Sequence, residues 1–295
     1  MTVDDNARRS VDMLLSVLDL SSTEARTTED IFTGVSHPMP TGRIYGGQVL
    51  AQSLVAAERT LPEERVVHSM HGYFLRPGDA SNGLTFSVDR IHDGRSFSTR
   101  RCQAFQGGVP IFSMIASFQD EDPGIEHAAP FPDDVPDPED VASDMEYIDA
   151  VHPMTGRMLA DRPADIRHID GPLMLEAGGE LVAHQAVWMR LRAPLPDAPG
   201  LHRAALAYLS DMTIQESILR RHGMSWSTPG LKVASLDHGM WWHRFGRADE
   251  WMLYVQESPN ARGGRGLATG RVYSRDGDLL ASVAQEIMIR VPDAG

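Results

Sequence analysis

The chain has 295 residues, 42% of them hydrophobic, and its 27 basic and 41 acidic residues give a formal net charge of −14. This length and apolar content predict a substantial core and two modules or one duplicated module, because domains usually span about 100–200 residues. The acidic balance argues against a nucleic-acid-binding protein and a basic membrane-binding surface, so a polyanionic ligand requires a local basic patch.

Neither a secretory signal nor a membrane-spanning segment is predicted from the sequence. The N-terminal stretch MTVDDNARRS contains no apolar core of the signal-peptide type, and no segment approaches the roughly 20 apolar residues that span a bilayer. The single cysteine, Cys102, excludes an internal disulfide. A cytoplasmic location without stable membrane insertion is therefore the simplest expectation.

The first half of the chain combines one helix with several strands. The apolar spacing of GGQVLAQSLVAAERTL, which begins at Gly46, predicts a well-buried helix. Segments of extended character follow, separated by PGD, HDG and QGG turn signals: VVHSMHGYFL, LTFSVDRI, SFSTRRCQAF and VPIFSMIASF. This order predicts an α+β unit over residues 1–119. The acidic and proline-rich residues 120–140 are not expected to pack a core, so residues 120–163 are interpreted as a surface linker.

The same order of elements recurs in residues 164–295. A strand at HQAVWMRLRA and a helix around Asp211 precede four strand-like segments: LKVASLDHGMWWH, WMLYVQES, RGLATGRVYS and LLASVAQEIMI. Three residues of the last hairpin in each half match at one constant offset of 170 residues: Arg95, Arg101 and Gly107 with Arg265, Arg271 and Gly277. The chain is therefore interpreted as an internal duplication.

Three polar side chains interrupt apolar faces in the second half. At 3.6 residues per turn, Asp211 shares one helix face with apolar residues: Ala204, Ala207, Tyr208, Ile214 and Ile218. Strand alternation places Ser235 and Gln285 on the inward faces of two strands. If they converge, Asp211 can act as a base toward a water that Ser235 and Gln285 orient. In the alternative interpretation the three side chains only satisfy neighbouring polar groups. The offset of 170 places Ile115 opposite Gln285, so one site for the two halves is predicted.

Other catalytic chemistries find little support in the sequence. No G-x-S-x-G motif occurs, and Cys102 lies in a strand pattern with apolar neighbours, which is typical of a structural cysteine. The odd spacing of His68 and His71, and of His238 and His243, sends each pair to opposite faces of a strand. No metal site is therefore predicted.

Motifs in both halves resemble those of acyl-CoA thioesterase II. From about Gly42 to Arg290 they are RIYGGQVLAQSLVAAERT, VVHSMHGYFLRPGD, DGRSFSTRRCQAFQGGVPIFSMIASFQ, LAYLSD, LDHGMWWHR and SVAQE. The resemblance implies an α+β double hotdog fold, in which each half is a curved antiparallel sheet wrapped around a long helix. It also implies hydrolysis of acyl-CoA to free fatty acid and coenzyme A, with no cofactor.

The family's water-activating residues are an Asp in the LSD segment, a Thr in the strand before DH and a Gln before the Glu of the final strand. These positions fall on Asp211, Ser235 and Gln285, and the serine lacks the methyl group that restricts a threonine rotamer. Helix N-terminal amides near Gly46, Gly47 or the Asp211 helix are candidates for stabilising an oxyanion. A covalent anhydride at Asp211 is the competing route.

Substrate binding and assembly are less defined by the sequence. RGGRG is interpreted as a hairpin turn, and its Arg262 and Arg265 are candidates for binding the phosphates of coenzyme A. Hotdog sheets usually pair, so the resemblance implies a homo-oligomer. Two alternatives stay open: a hydratase-type site that pairs an Asp with His238, and a protein that binds acyl-CoA without turnover.

Overall fold

The computed structural model describes residues 3–23, 25, 27–62, 65–174 and 180–291. The α-helices in these ranges are α1 (Val3–Leu18), α2 (Gly46–Glu58), α3 (Pro153–Asp161), α4 (Pro199–Ser210) and α5 (Glu216–Arg221). The strands of the first half are β1 (Ser21–Ser22), β2 (Asp30–Gly34), β3 (Val66–Phe74), β4 (Leu84–Asp93), β5 (Phe97–Gln106) and β6 (Val109–Gln119). Those of the second half are β7 (Ala164–His168), β8 (His184–Leu191), β9 (Lys232–Ser235), β10 (Asp237–Trp242), β11 (Met252–Arg262), β12 (Arg265–Ser274) and β13 (Leu279–Arg290). The described helices include none with the length and apolar character needed to cross a membrane.

One antiparallel sheet contains all of these strands. Its order is β1-β2-β4-β5-β6-β3-β10-β13-β12-β11-β8-β7, and β9 also pairs with β13. The pairing of β3 with β10 joins the two halves, so the first half lies on one side of this junction and the second half on the other. The strand-like segments predicted from the sequence are confirmed, and RGGRG is confirmed as the turn between β11 and β12.

Helices α2 and α4 pack against each other in the main hydrophobic core. Residues Gly47 to Leu54 of α2 are all buried, which confirms the predicted buried helix. Helix α2 contacts α4 and the strands β3 to β6, and apolar residues of both helices belong to one hydrophobic cluster. This packing brings the N-terminus of α2 close to the C-terminus of α4, where Tyr45 Oη donates a 2.8 Å hydrogen bond to the Tyr208 carbonyl.

The helix around Asp211 is shorter than the sequence analysis predicts. Helix α4 ends at Ser210, Asp211 is its C-cap residue, and a turn leads to α5. The cause is a pair of buried amides on the sheet: Gln256 bonds the Thr213 hydroxyl at 2.6 Å and Gln185 bonds the Thr213 carbonyl at 3.3 Å. Asp211 therefore lies at a helix end and not in the middle of a continuous helical face.

The final hairpins of the two halves do not keep one constant offset. Arg101 pairs with Ile115, whereas Arg271 pairs with Ser282, so the offset falls from 170 residues in the first strand of the hairpin to 167 in the second. Phe118, which is fully buried, therefore corresponds to Gln285, and the assignment of the 49% exposed Ile115 was wrong. The first half still lacks an amide at this place.

The segment between the halves is a surface linker only in part. Strand β6 ends at Gln119 and β7 begins at Ala164, and residues 121–128 are exposed. The expectation that residues 120–140 pack no core is wrong for the later part, because Phe131 packs on Trp188 and Tyr273. These aromatic rings lie on the sheet face away from the helices, where the returning segment covers them.

Candidate active site

The structure places Asp211 between the ends of two helices. It follows the last residue of α4, and its carboxylate accepts a hydrogen bond from the Gly47 backbone N–H in the first turn of α2. A Cβ atom at Gly46 would lie 2.6 Å from Asp211 Oδ2, and one at Gly47 would lie 2.4 Å from the Tyr208 carbonyl oxygen. The two glycines therefore allow the close approach that gives the carboxylate its amide donor and the positive end of a helix dipole.

Ser235 and Gln285 converge on one oxygen of this carboxylate. Ser235 Oγ donates to Asp211 Oδ1 at 3.0 Å, and Gln285 Nε2 donates to the same oxygen at 2.9 Å and to Ser235 Oγ at 2.8 Å. The two side chains come from β9 and β13, which pair with Ser235 opposite Ile287. The three residues predicted from the sequence are thus brought into direct contact.

The charge state of Asp211 is set by burial among neutral partners. Burial raises its pKa to about 6, although the hydrogen bonds from Gln285, Ser235 and the Gly47 amide oppose the shift. No arginine or lysine is among the groups that shift it. A carboxylate with a pKa near neutrality is a more effective general base than an ordinary aspartate and is still ionised at pH 7.

His238 orients the amide of Gln285 from behind. Its Nδ1 lies in a short hydrogen bond with Gln285 Oε1, and its Nε2 lies 3.0 Å from Ser210 Oγ. Burial lowers the pKa of His238 to about 4, so the ring is neutral. With Nδ1–H donating to Oε1, the NH₂ group of Gln285 must face Asp211 and Ser235.

A one-residue irregularity makes this contact possible. Ser235 pairs with Ile287, but Gly239 pairs with Ala284, so one extra residue lies between β9 and β10. Asp237 accepts the Glu286 N–H at 2.7 Å, and His238 takes the inward position. Strict alternation gave that position to Asp237, which explains why no contact between His238 and Gln285 was predicted from the sequence.

A second buried network holds the turn that carries Asp211. His168 contacts Asp144 Oδ1 at 2.9 Å through Nδ1 and Glu216 Oε2 at 2.7 Å through Nε2. Burial disfavours the imidazolium, but the two carboxylates outweigh it and raise the pKa of His168 to about 10. Gln185 donates to Glu216 at 3.0 Å as well as to the turn, so the start of α5 is fixed to the sheet.

A cavity of about 400 Å³ opens onto Asp211 and Ser235. Apolar side chains form most of its wall, among them Ile44, Val49, Phe74, Ile111 and Phe112. Gln285 is fully buried behind the two hydrogen-bonded residues and does not line it. Asp211 and Ser235 are therefore the groups of the trio that a molecule in the cavity touches.

The predicted substrate-binding residues fall in different places. Gly46 lines the cavity, whereas the Gly47 N–H is directed to Asp211. Arg262 and Arg265 do not line it, and Arg265 forms a 3.0 Å ion pair with Glu286. Two other arginines, Arg43 and Arg76, stand in its wall, and both are exposed.

Sequence reasoning also missed Trp226. Its ring lines the cavity, and its Nε1 donates to Glu216 Oε1 at 2.6 Å. No periodic pattern surrounds Trp226, because it lies in a loop after α5, so its place in the site was not visible from spacing. Cys102 is fully buried in β5, and burial raises its pKa to about 12, which removes it as a nucleophile.

The fold and this site define a hotdog protein with a buried carboxylate at the end of a cavity. A hotdog-fold protein from Alicyclobacillus acidocaldarius superposes with a TM-score of 0.76 at 21% identity, over 95% of this chain and 98% of that one. The acyl-CoA thioesterase II TesB2 of Mycobacterium marinum superposes with a TM-score of 0.76 at 40% identity, over 96% and 98% of the two chains.

Sequence comparison identifies the family. Residues 35–119 match the model of the acyl-CoA thioesterase N-terminal domain, and residues 160–288 match that of acyl-CoA thioesterase. Acyl-CoA thioesterase 2 of Haemophilus influenzae is 35% identical over 95% of this chain and 98% of its own length. Human acyl-coenzyme A thioesterase 8 is 36% identical over 96% and 90% of the two chains. The chain belongs to the acyl-CoA thioesterase family, whose members are thioester hydrolases.

Proposed function

We propose that this protein hydrolyses acyl-CoA to a free carboxylic acid and coenzyme A at Asp211. The observation that carries the proposal is the convergence of Ser235 and Gln285 on Asp211 Oδ1 at the wall of an open cavity. These bonds fix one carboxylate oxygen, and the other, Oδ2, lies beside Gly46, which also lines the cavity. Oδ2 is therefore the oxygen that accepts a proton from a bound water.

The reaction needs only this proton transfer and one nucleophilic attack. The water oxygen bonds to the thioester carbonyl carbon while its proton passes to Asp211, and the resulting oxyanion is stabilised by an amide donor. The Gly47 N–H is directed to the carboxylate, so the Gly46 N–H is the expected donor. Collapse of the intermediate breaks the C–S bond, and the thiolate of coenzyme A leaves and takes up the proton.

Direct attack is distinguished from a covalent anhydride by single turnover in heavy-oxygen water. Direct attack puts the label in the released acid alone. Label in the carboxylate of Asp211 contradicts it and supports the anhydride.

We infer that each half is a hotdog unit and that the two arose by duplication, with α2 and α4 as their central helices. The shared strand order on either side of the β3–β10 junction supports this. Phe118 replaces the amide of Gln285 in the first half, so the pair of units has one site. A homo-oligomer formed through the sheets and a cytoplasmic location stay predictions.

The phosphates of coenzyme A are expected at Arg43 and Arg76. In a chain of net charge −14, a polyanionic substrate needs a local cationic wall. Both guanidinium groups stand in the cavity wall, and Arg76 donates to the Pro110 carbonyl at 2.8 Å. Neither forms an ion pair with a carboxylate in the described part of the chain. Arg262 and Arg265 stay an alternative site for the same phosphates.

This expectation is tested with two substrates that share the acyl group, acyl-CoA and acyl-pantetheine. The double change Arg43→Gln and Arg76→Gln is expected to raise KM for acyl-CoA about tenfold, because charge-assisted hydrogen bonds are lost, and to leave KM for acyl-pantetheine unchanged. Arg262→Gln with Arg265→Gln is the matched control. A KM increase confined to the control pair places the phosphates at the hairpin.

The proposed function itself is tested by thiol release from acyl-CoAs of increasing chain length. The wild type is compared with Asp211→Asn at matched folded fraction. Turnover by the wild type with loss in the variant supports hydrolysis at Asp211. Binding of acyl-CoA without thiol release from either protein contradicts it.

A further inference from the structure

A second cavity lies next to the first and is separated from it by side chains that line both. Its volume is about 340 Å³, and four residues line both spaces: Met39, Tyr45, Gln215 and Trp226. Its other walls come from α3, the α4–α5 turn and the segment His37 to Pro40. The residues to which the proposed mechanism gives a role do not line it: Asp211, Ser235, Gln285, Gly46 and Gly47.

The position of the second cavity matches the acyl side of the substrate. The exposed arginines Arg43 and Arg76 stand in the wall of the first cavity, which therefore takes the coenzyme A arm. A thioester carbonyl held at Asp211 then directs its acyl group toward the shared wall. Met212, the residue after Asp211, lines the second cavity, so the chain needs to travel only a short distance to reach it.

The lining of the second cavity suits an alkyl chain. Four methionines contribute to it, Met39, Met158, Met174 and Met212, with Leu159 and Tyr208 beside them. Methionine side chains are unbranched and adapt their shape to an irregular apolar ligand. A cavity of about 150 Å³ holds one benzene molecule, so this one accommodates about a dozen carbon atoms.

Polar groups on the wall of the second cavity limit the chain. Arg162 lines the cavity and bonds Asp144 at 3.1 Å, and its Nη2 is buried without a hydrogen-bond partner among the described residues. His37 also lines the cavity, and its Nδ1 is likewise buried without a hydrogen-bond partner among the described residues. A methylene group pressed against these atoms would offer them no hydrogen-bond acceptor or donor, which is unfavourable.

We propose that the second cavity is the acyl-chain site and that it selects medium-chain acyl groups of up to about twelve carbons. The inference rests on the proposed thioesterase function and names its substrate class. The chain runs from Asp211 past Tyr45 and Gln215, between the methionines, and ends before Arg162. Longer chains meet the Arg162 guanidinium, and shorter chains leave the apolar walls unfilled.

The experiment reduces the volume of the second cavity by a larger side chain on α3. Met158 lies on α3 and lines the cavity, whereas Met154, on the same helix, is 38% exposed and does not line it. Met158→Trp is expected to lower kcat/KM for dodecanoyl-CoA about tenfold or more, because several methylene groups lose their burial, and to change that for butanoyl-CoA by less than about twofold. Met154→Trp is expected to affect neither.

Binding of a non-hydrolysable dodecyl-CoA thioether, measured by calorimetry, provides a readout independent of turnover. Its affinity is expected to fall about tenfold in Met158→Trp and to stay unchanged in Met154→Trp. An unchanged affinity in Met158→Trp, or equal losses for dodecanoyl and butanoyl substrates, overturns the acyl-chain assignment. If the wild type releases no thiol but thioether affinity still falls in Met158→Trp, the proposed hydrolysis is overturned and the acyl-chain assignment stands. If Met158→Trp is poorly folded, Thr155→Leu, on the same wall, is measured in its place with the same expectations.

Discussion

Asp144 and Asp211 are both buried, and they differ in the charge of the groups that contact them. Asp144 is bonded by Arg162 and by His168, and these cations outweigh burial and hold the pKa of Asp144 below its usual value. Asp211 is bonded by an amide, a hydroxyl and a backbone N–H, and burial raises its pKa to about 6. Burial alone therefore does not identify a catalytic carboxylate, because the charge of its partners decides whether it is a permanent anion or a base.

Asparagine at the two positions is expected to give opposite effects on stability. Asp211→Asn should lower kcat/KM by about 10²–10⁴, because the base is lost. It should also raise the free energy of unfolding at pH 7.5 by about 1–3 kcal/mol, because a buried charge with neutral partners is removed. Asp144→Asn should lower that free energy by about 3–5 kcal/mol, because the cations lose their buried partner.

Urea unfolding and thiol release on the same preparations measure both effects. The activity of Asp144→Asn is expressed per folded molecule, so that a loss of fold is not mistaken for a loss of catalysis. A destabilised Asp211→Asn would show that Asp211 is structural, and the contrast between the two carboxylates would then be wrong.

His238 is expected to affect catalysis indirectly, by positioning the amide of Gln285. His238→Phe should lower kcat by about 10- to 100-fold with KM unchanged, because the Gln285 amide is no longer held with its NH₂ group toward Asp211. His238→Asn should restore much of the rate, because its amide N–H can replace Nδ1–H. Steady-state kinetics of the two variants distinguish a positioning role of His238 from a packing role. Equal losses in both, or a parallel rise in KM, would indicate a general packing role.

The two clusters should also respond to different ranges of pH. Asp211, the proposed base, can accept a proton only when it is ionised, so log kcat/KM should fall by about one per pH unit as the pH drops below about 6. The pKa of His168 is raised, so its contribution to stability is complete below its unfolded value of 6.5 and is lost as the pH rises through about 10. The loss should be on the order of a few kcal/mol, and it should be absent in His168→Gln.

Activity between pH 5 and 8 and unfolding between pH 6 and 10 measure these two curves. The activity curve should keep its midpoint in His168→Gln. A midpoint that moves with this variant would mean that the clusters are electrically coupled and that the contrast between them is too simple.

The elements with strong periodicity were predictable, and the irregular ones were not. The buried faces of α2 and β13 follow directly from apolar spacing, and Gln285 was found as the polar residue on one of them. The ends of α4 and the extra residue before β10 depend on long-range contacts, from Gln256 to Thr213 and from Asp237 to Glu286. Spacing contains no information on such contacts, so Asp211 was placed in mid-helix and the contact of His238 with Gln285 was missed.

The serine at position 235, where the family motif has threonine, is a small difference whose effect can be measured. Ser235→Thr adds a methyl group on a strand, where β-branched side chains fit well, and restricts the hydroxyl to fewer rotamers. Its Oγ already lies between Asp211 and Gln285, so the gain in kcat should be no more than about threefold.

Ser235→Ala removes the same hydroxyl, and its expected loss is about tenfold, since one hydrogen bond to the base disappears. Comparison of the two variants distinguishes the effect of having the hydroxyl from the effect of restricting its rotamers. A gain of more than tenfold in Ser235→Thr, measured by thiol release at fixed acyl-CoA concentration, would mean that the serine rotates away from Asp211 for most of the time. The bonds around Oδ1 would then be only one of several arrangements, and the neutral cluster would be a less rigid site than the ionic one around Asp144.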